Sequence, residues 1–349
     1  MRAIDDLLRE AQEYGASDVH VSVGRPPFFR IDGKLSPVGE KPIDAEEGKE
    51  MMDHLMSANP DFAAKLQKER QVDFSYALPD GVRFRVNVFY HVDEVAAALR
   101  LIPSTIQTIE ELHLPPQILQ FAQLKQGFVL VVGPAGHGKS TTLASLMDYI
   151  NENRREHIIS IEDPIEYLFS DKQSIIDQRE IGADAISFEE AIRVTLRQDP
   201  NVILIGEIRD QESMQTALTV AETGHLVFAT LHTNDAAQTV ERIIDSFSPD
   251  QQAQVRSQLA NALSGVISQR LLPWTTGGRI PAVEIMMVTT AVRNVIREGN
   301  IHQIPGIIQT SSDVGMQTLD ASLQALVDTG AVRLEDARAY FSNSKRMAR

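Results

Sequence analysis

Nine residues constrain this chain more than any others: Gly133-Pro134-Ala135-Gly136-His137-Gly138-Lys139-Ser140-Thr141. They fit the pattern G-x-x-x-x-G-K-[ST] and stand where it has a mechanism, after the apolar run 128–132 and before a helical stretch. Glycines let the backbone curl until its N–H groups converge, and a helix starting near Lys139 adds the positive end of its dipole. Such a cradle takes a polyphosphate. Lys139 is expected to reach the β- and γ-phosphates and the Ser140 hydroxyl to ligate Mg²⁺, so the loop reads as a nucleoside triphosphate site for ATP and Mg²⁺. The bland alternative is a chance glycine-rich turn, and the strand and helix on either side argue against it.

The loop also predicts what surrounds it. From residue 117 onward, short apolar runs at 128–132, 157–161, 202–205 and 226–230 alternate with helical stretches such as 188–198 and 211–222. Strands apolar on both faces that alternate with helices predict an α/β unit with a covered parallel sheet. Beyond residue 249 the pattern reads as helices, including 251–263, 290–298 and 316–327, so a helical part is expected at about 250–349. The first hundred residues follow a different grammar. Ile4, Leu7, Leu8 and Ala11 recur at helical spacing, whereas Val19, Val21 and Val23 alternate with His20 and Ser22. Asp32-Gly33 and Asp80-Gly81 are hairpin signals, and 72–76, 82–88 and 95–102 read as strands. The expected domains are a small α+β domain over 1–102 with an antiparallel sheet, a linker at 103–116 closed by Pro115-Pro116, and an ATPase domain over 117–349.

Composition excludes several classes. A length of 349 residues exceeds the roughly 250–300 that one core usually spans, which favours two domains. With no cysteine there is no disulfide, no thiol nucleophile and no Cys-ligated zinc. The net charge of −15 divides into −7 over residues 1–115 and −8 over the rest, so neither part offers the basic field that nucleic acid needs. No apolar run approaches the ~18–20 residues of a membrane span, and the amphipathic start at 1–14 lacks a signal-peptide pattern. A cytoplasmic protein without membrane insertion is expected.

Hydrolysis needs carboxylates, and in an open parallel sheet these belong at the carboxyl ends of strands. The run 158–161 leads into Glu162-Asp163-Pro164-Ile165-Glu166, and 202–205 leads into Gly206-Glu207-Ile208-Arg209-Asp210. Glu207 has the place of a metal-side acid, while Asp210 is suited to cap the helix that follows. Among Glu162, Asp163 and Glu166 the chemistry alone does not choose: one can cap, one position water, one bind metal. His225 precedes the run 226–230 and His232 follows it, so His232 emerges at the edge of the phosphate loop, with Thr230, Thr233 and Asn234. Phosphoryl transfer also recruits arginines. Arg83 and Arg85 share one face of a strand, and Arg100 lies opposite Leu99 and Leu101 on the next. For these to touch phosphate, the domains must close or one subunit must reach into its neighbour.

Together these motifs resemble the secretion-type hexameric ATPases, and within them the type IV pilus retraction motors, over nearly the whole chain. Segments 15–20 and 26–33 resemble the family's PAS-like N-terminal domain. Segments 133–142, 161–166, 197–210 and 221–234 resemble the Walker A loop, Asp box, Walker B region and His box of its RecA-like domain. Ala291-Val292-Arg293-Asn294-Val295-Ile296-Arg297-Glu298, then Gly315 to Asp320, resembles a signature associated with retraction. By spacing alone it is an amphipathic helix that buries Val292, Val295 and Ile296 and ends at Gly299. The resemblance implies Glu166 as the acid that activates water and Glu207 as the Walker B acid. It implies roles for His225, for His232, and for Arg83, Arg85 and Arg100 at the nucleotide. It makes Arg293, Asn294, Arg297 and Glu298 matter for retraction. It also implies a homohexamer at the cytoplasmic face of the inner membrane, working with a pilus platform protein and beside an extension ATPase and an accessory retraction ATPase. His137 departs from the small polar residue usual at its position. Extension motors commonly carry a four-cysteine zinc module, which this chain lacks. An accessory retraction or secretion ATPase is the nearer alternative, and a RecA-like nucleic-acid translocase the more distant one.

Overall fold

The computed structural model describes residues 3–31, 33–57, 59–103 and 105–342, and the chain divides into two units at residues 104/105. Asp32 of the first hairpin signal and Ser104 of the expected linker lie outside the described residues. In the first unit, α1 (Ile4–Glu13) leads into β1 (Asp18–Ser22), β2 (Phe28–Ile31) and β3 (Lys34–Pro37). There follow α2 (Ala45–Met56), α3 (Asp61–Glu69), β4 (Gln71–Ala77), β5 (Arg83–His91) and β6 (Glu94–Ile102). The strands form one antiparallel sheet in the order β3-β2-β1-β6-β5-β4. Alternation explains its faces. Val19, Val21, Phe84, Val86, Val88, Ala97 and Leu99 are buried in one core with Leu7 and Leu8 of α1 and Met52 and Leu55 of α2.

The second unit begins earlier than the expected linker end. Ile109 and Leu114 are buried in its core, so 105–116 packs with it. Its elements are α4 (Leu119–Ala122), β7 (Gly127–Val132), α5 (Lys139–Asn153), β8 (His157–Glu162), β9 (Ile175–Glu180), α6 (Phe188–Thr195) and β10 (Val202–Ile205). Then come α7 (Gln211–Glu222), β11 (Leu226–Leu231), α8 (Ala236–Asp245), α9 (Gln252–Ala262), β12 (Leu263–Pro273) and β13 (Arg279–Met287). The chain finishes with α10 (Thr290–Glu298), α11 (Ile304–Thr310), α12 (Leu319–Asp328) and α13 (Leu334–Ala337). The sheet runs β13-β12-β7-β11-β10-β8-β9, parallel throughout except for β13.

Both faces of this sheet are covered. On β7, Phe128, Leu130 and Val132 join one core with α6 to α10, while Val129 and Val131 join another with Leu143, Leu146, Met147 and Ile150 of α5. Replacing a residue such as Leu146 with Ala costs about 2–5 kcal/mol of stability by leaving a cavity. One correction concerns the expected helical part at 250–349. Residues 263–287 are two long strands, β12 and β13, which extend the sheet beside β7. Gly265 of β12 allows this, because a Cβ there would meet the Phe121 ring at 2.0 Å. Edge strand β9 was also absent from the sequence reading: its Asp177, Arg179 and Glu180 hide the strand pattern. No helix among the described residues is long and apolar enough to cross a membrane.

Candidate active site

The parallel strands deliver their carboxyl ends to one edge of the sheet, in the order β7, β11, β10, β8. From β7 the chain enters residues 133–138 and then α5, whose first residue is Lys139. Gly138 has φ +82°, and a Cβ on it would fall 2.7 Å from the Gln269 amide nitrogen. The left-handed backbone favours glycine there, and any larger residue would also have to displace the Gln269 amide. Lys139 is buried, and its ammonium donates to the carbonyls of Gly133 (2.9 Å) and Pro134 (3.1 Å). Burial pushes its pKa down, against the opposing charges of Glu207 and Glu166. Thr141 Oγ1 is 2.8 Å from the Tyr167 hydroxyl. Pro134, Ala135 and Gly136 lie toward the surface, and Ser140 is partly buried in the first turn of α5.

A polar chain runs from this loop across the neighbouring strand ends. Lys139 Nζ lies 3.3 Å from His232 Nδ1, and His232 Nε2 lies 2.8 Å from Glu207 Oε1. An ammonium only donates, so Nδ1 is the acceptor and the imidazole proton sits on Nε2, directed at the carboxylate. Arg209 Nη2 donates to Glu207 Oε2 at 2.9 Å, and its Nη1 is 3.7 Å from Asp163. Burial acts to raise the Glu207 carboxyl, but the hydrogen bond and charge of Arg209, with the hydrogen bond from His232, outweigh it and hold the group below its ordinary range. Four sequence motifs thus meet in one row of contacts.

The three Asp-box carboxylates have different surroundings. Glu162 is buried and accepts from Ser160 Oγ (2.6 Å), Gln178 Nε2 (3.3 Å) and the Glu166 N–H (3.3 Å), and burial pushes its pKa up. It ties the loop down. Asp163 is exposed and pairs with Arg209, while Glu166 is exposed and acts electrostatically on Lys139. Glu180 supports the same loop by accepting the Ile165 N–H at 3.1 Å.

Other candidates lie elsewhere. Asp210 caps α7, accepting the Ser213 N–H at 2.7 Å. Thr230 donates to the Gly206 carbonyl (2.6 Å), and Thr233 Oγ1 lies 2.6 Å from Thr239 Oγ1, so both are satisfied locally. His225 stands at the other end of β11, roughly 20 Å from His232 by strand rise, with Nδ1 near Thr223 Oγ1 (3.1 Å) and the Val220 carbonyl (3.2 Å). Arg83, Arg85 and Arg100 belong to the first unit, where Arg85 and Arg100 are exposed cross-strand neighbours and Arg100 Nε donates to Asp18 at 2.9 Å. On α10, Arg293, Asn294, Arg297 and Glu298 are exposed above buried Val292, Val295 and Ile296. Arg297 donates to Asn261 (2.7 Å), and Gly299 ends the helix at φ +75°. Sequence pattern does not single out Gln269, Arg270 and Arg279, which stand on β12 and β13 within the expected helical part. Gln269 Nε2 donates to the His137 carbonyl (2.8 Å), Arg279 to the Gly136 carbonyl (3.0 Å), and buried Arg270 to the Asn234 carbonyl (2.9 Å). A buried run containing Ser268-Gln269-Arg270 was the available signal.

Residues 1–338 match the family described as Type II/IV secretion system protein. The chain is 43% identical over 335 residues to the type IV pilus retraction ATPase PilT of Pseudomonas aeruginosa, covering 96% of this chain and 97% of that protein. It is 46% identical over 324 residues to a twitching motility protein of Neisseria gonorrhoeae, covering 92% and 86%. A crystal structure of the pilus retraction motor PilT with bound ADP superimposes with a TM-score of 0.92 at 45% identity, over 99% of both chains. With the match running from the first sheet through the phosphate loop to the last helices, the chain belongs to the type II/IV secretion system protein family.

Proposed function

We infer that this protein is a motor ATPase that couples ATP hydrolysis to retraction of type IV pili and hence to twitching motility. The observation that carries the catalytic part is the row Lys139, His232, Glu207, Arg209, Asp163, which joins the phosphate loop to three neighbouring strand ends. ATP lays its phosphates along residues 133–141, with Lys139 leaving the loop carbonyls for the β- and γ-phosphate oxygens. A cavity of about 420 Å³ beside Thr141, walled by the His113 and Trp274 rings, gives the nucleoside half its place.

Ser140 and ionised Glu207 fit Mg²⁺, an ion usually held by a hydroxyl or one carboxylate together with phosphate oxygens and water. When bound, the ion neutralises charge between the β- and γ-phosphates. Glu166, exposed and within electrostatic range of Lys139, accepts the proton of the attacking water. The water oxygen bonds to the γ-phosphorus as the bond to the bridging oxygen breaks, leaving ADP and phosphate. His232 Nε2, 2.8 Å from Glu207, holds that carboxylate in place. Arg83, Arg85 and Arg100 supply cations when the first unit closes on the nucleotide, its own or a neighbour's. The assembly is a homohexamer at the cytoplasmic face of the inner membrane, acting on a pilus platform protein, with Arg293, Asn294, Arg297 and Glu298 of α10 in the transmission surface.

Phosphate release from Mg-ATP by the assembled protein tests the catalytic reading. Turnover by the wild type that is lost in Glu207→Gln, with ATP still bound, is the expected result. Equal turnover by both would overturn it.

A further inference from the structure

Strand β7 ends at Val132, whereas its neighbour β12 runs on to Pro273, and their ladder stops at the pair Ser268–Val132. Beyond that rung, the edge of β12 that faced β7 meets the phosphate loop, and its backbone groups need other partners. The Leu271 N–H finds one in His137, donating to Nδ1 at 2.9 Å. A backbone N–H only donates, so Nδ1 carries the lone pair and the proton of the neutral ring is on Nε2. The charged groups facing this ring are Arg270 on β12, Lys139 on α5 and Arg279 on β13. Burial first, and then these three cations, push the imidazole below its ordinary value, which keeps Nδ1 an acceptor at neutral pH.

The contact belongs to a seam. Gln269 bridges the His137 carbonyl (2.8 Å) and Thr142 Oγ1 (2.7 Å), and Arg279 holds the Gly136 carbonyl (3.0 Å). Loop and strand lie so close that a Cβ on Gly133 would sit 2.5 Å from the Gln269 carbonyl oxygen. In this seam His137 is the one loop side chain that bonds to the strand backbone. A serine at this position would stop one bond short, because Oγ is two bonds from Cα and Nδ1 is three.

We propose that His137 is a positioning residue for nucleotide binding: its Nδ1, accepting the Leu271 N–H, pins the phosphate loop to the end of β12 in the conformation that grips phosphate. Loop shape acts on the phosphates of ATP and ADP alike and in ground and transition states alike, so the effect falls on affinity more than on turnover. The inference rests on the reading of this loop as the nucleotide site, which Lys139→Ala tests by itself.

The experiment measures ADP affinity by calorimetry, and KM and kcat for ATP, on the full-length assembled protein. His137→Leu keeps the bulk and removes the acceptor, whereas His137→Asn keeps an acceptor three bonds from Cα. Losing one buried acceptor and orphaning its donor, His137→Leu raises the ADP Kd and the ATP KM about five- to tenfold, with kcat within about twofold, and His137→Asn recovers both to within about twofold. A His137→Leu protein that binds like the wild type, or a His137→Asn protein as weak as His137→Leu, overturns the proposal. Melting temperature without nucleotide checks folding, and if the Leu variant does not fold, His137→Ala is read against the same Asn variant. Normal ADP binding by Lys139→Ala would instead remove the nucleotide-site reading beneath the proposal.

Discussion

The two sheets dispose of their charge in opposite ways. In the second unit the central strands β7, β10 and β11 are buried on both faces, and the site gathers at their ends, where its cations have partners within the unit: Lys139 on loop carbonyls, Arg209 on Glu207, Arg270 on Asn234. In the first unit one sheet face is core, and the other carries a rung of charge across four strands: Arg30, Asp18, Arg100, Arg85. Burial acts to raise Asp18, but Ser17 and the two flanking arginines hold it ionised below its usual range. Arg30 and Arg100 thus share the Asp18 carboxylate, with Arg85 exposed on the next strand, in a unit that is acidic overall. The contrast teaches a division of labour. Under the proposed function, the groups that grip phosphate in the second unit are already engaged, whereas Arg85 and Arg100 of the first are exposed.

Four groups of substitutions probe that division. Lys139→Ala removes the cation at the centre of the grip and should lower ATP turnover at least about 100-fold, measured as phosphate release. Glu166→Gln and Glu207→Gln should each cost on the order of 100- to 1,000-fold in kcat while ATP binding stays within a few-fold. Near-wild-type turnover in both would show that the chemistry lies elsewhere. If the exposed rung serves closure, Arg85→Ala and Arg100→Ala should cut kcat by about 10- to 100-fold and leave ADP affinity within about threefold. An ADP affinity that falls with kcat would erase the division between gripping and closing. Arg293→Ala and Arg297→Ala lie on neither surface, so phosphate release should persist while pilus retraction is lost.

A pH prediction concerns the second unit alone. Burial, with the charges of Asp235 and Asp320, pushes Glu284 of β13 up to about 7, despite the Ala236 N–H bond and Arg270. A carboxyl whose pKa is higher folded than unfolded favours the native state while protonated. Its contribution is present at low pH and is lost as pH rises from the ordinary glutamate range through about 7. Melting temperature should therefore decline over that window, and Glu284→Gln, which stays neutral, should flatten the decline.

The same contrast explains what could be read from sequence. Alternation along β5 and continuous burial along β7 are different patterns, so both sheet types were recognisable before the structure. Helices α7 and α10 agree end to end with their periodicity, since Asp210 caps the start of α7 and Gly299 ends α10. Strands β12 and β13 were not legible. Their interior carries Ser268, Gln269, Arg270 and Glu284, each of which finds a polar partner far away in sequence. The site was legible as motifs, because each sits at a strand end. Its wiring was not: that Glu162 ties down a loop while Glu166 stays exposed depends on Ser160 and Gln178, contacts that no spacing rule announces.

The most direct test of the central claim is a count of surface pili, with twitching, after deletion of this chain from its source cell. A retraction motor predicts surplus pili that do not retract, corrected by the wild-type chain and not by Glu207→Gln. Bald cells, or correction by Glu207→Gln, would contradict it.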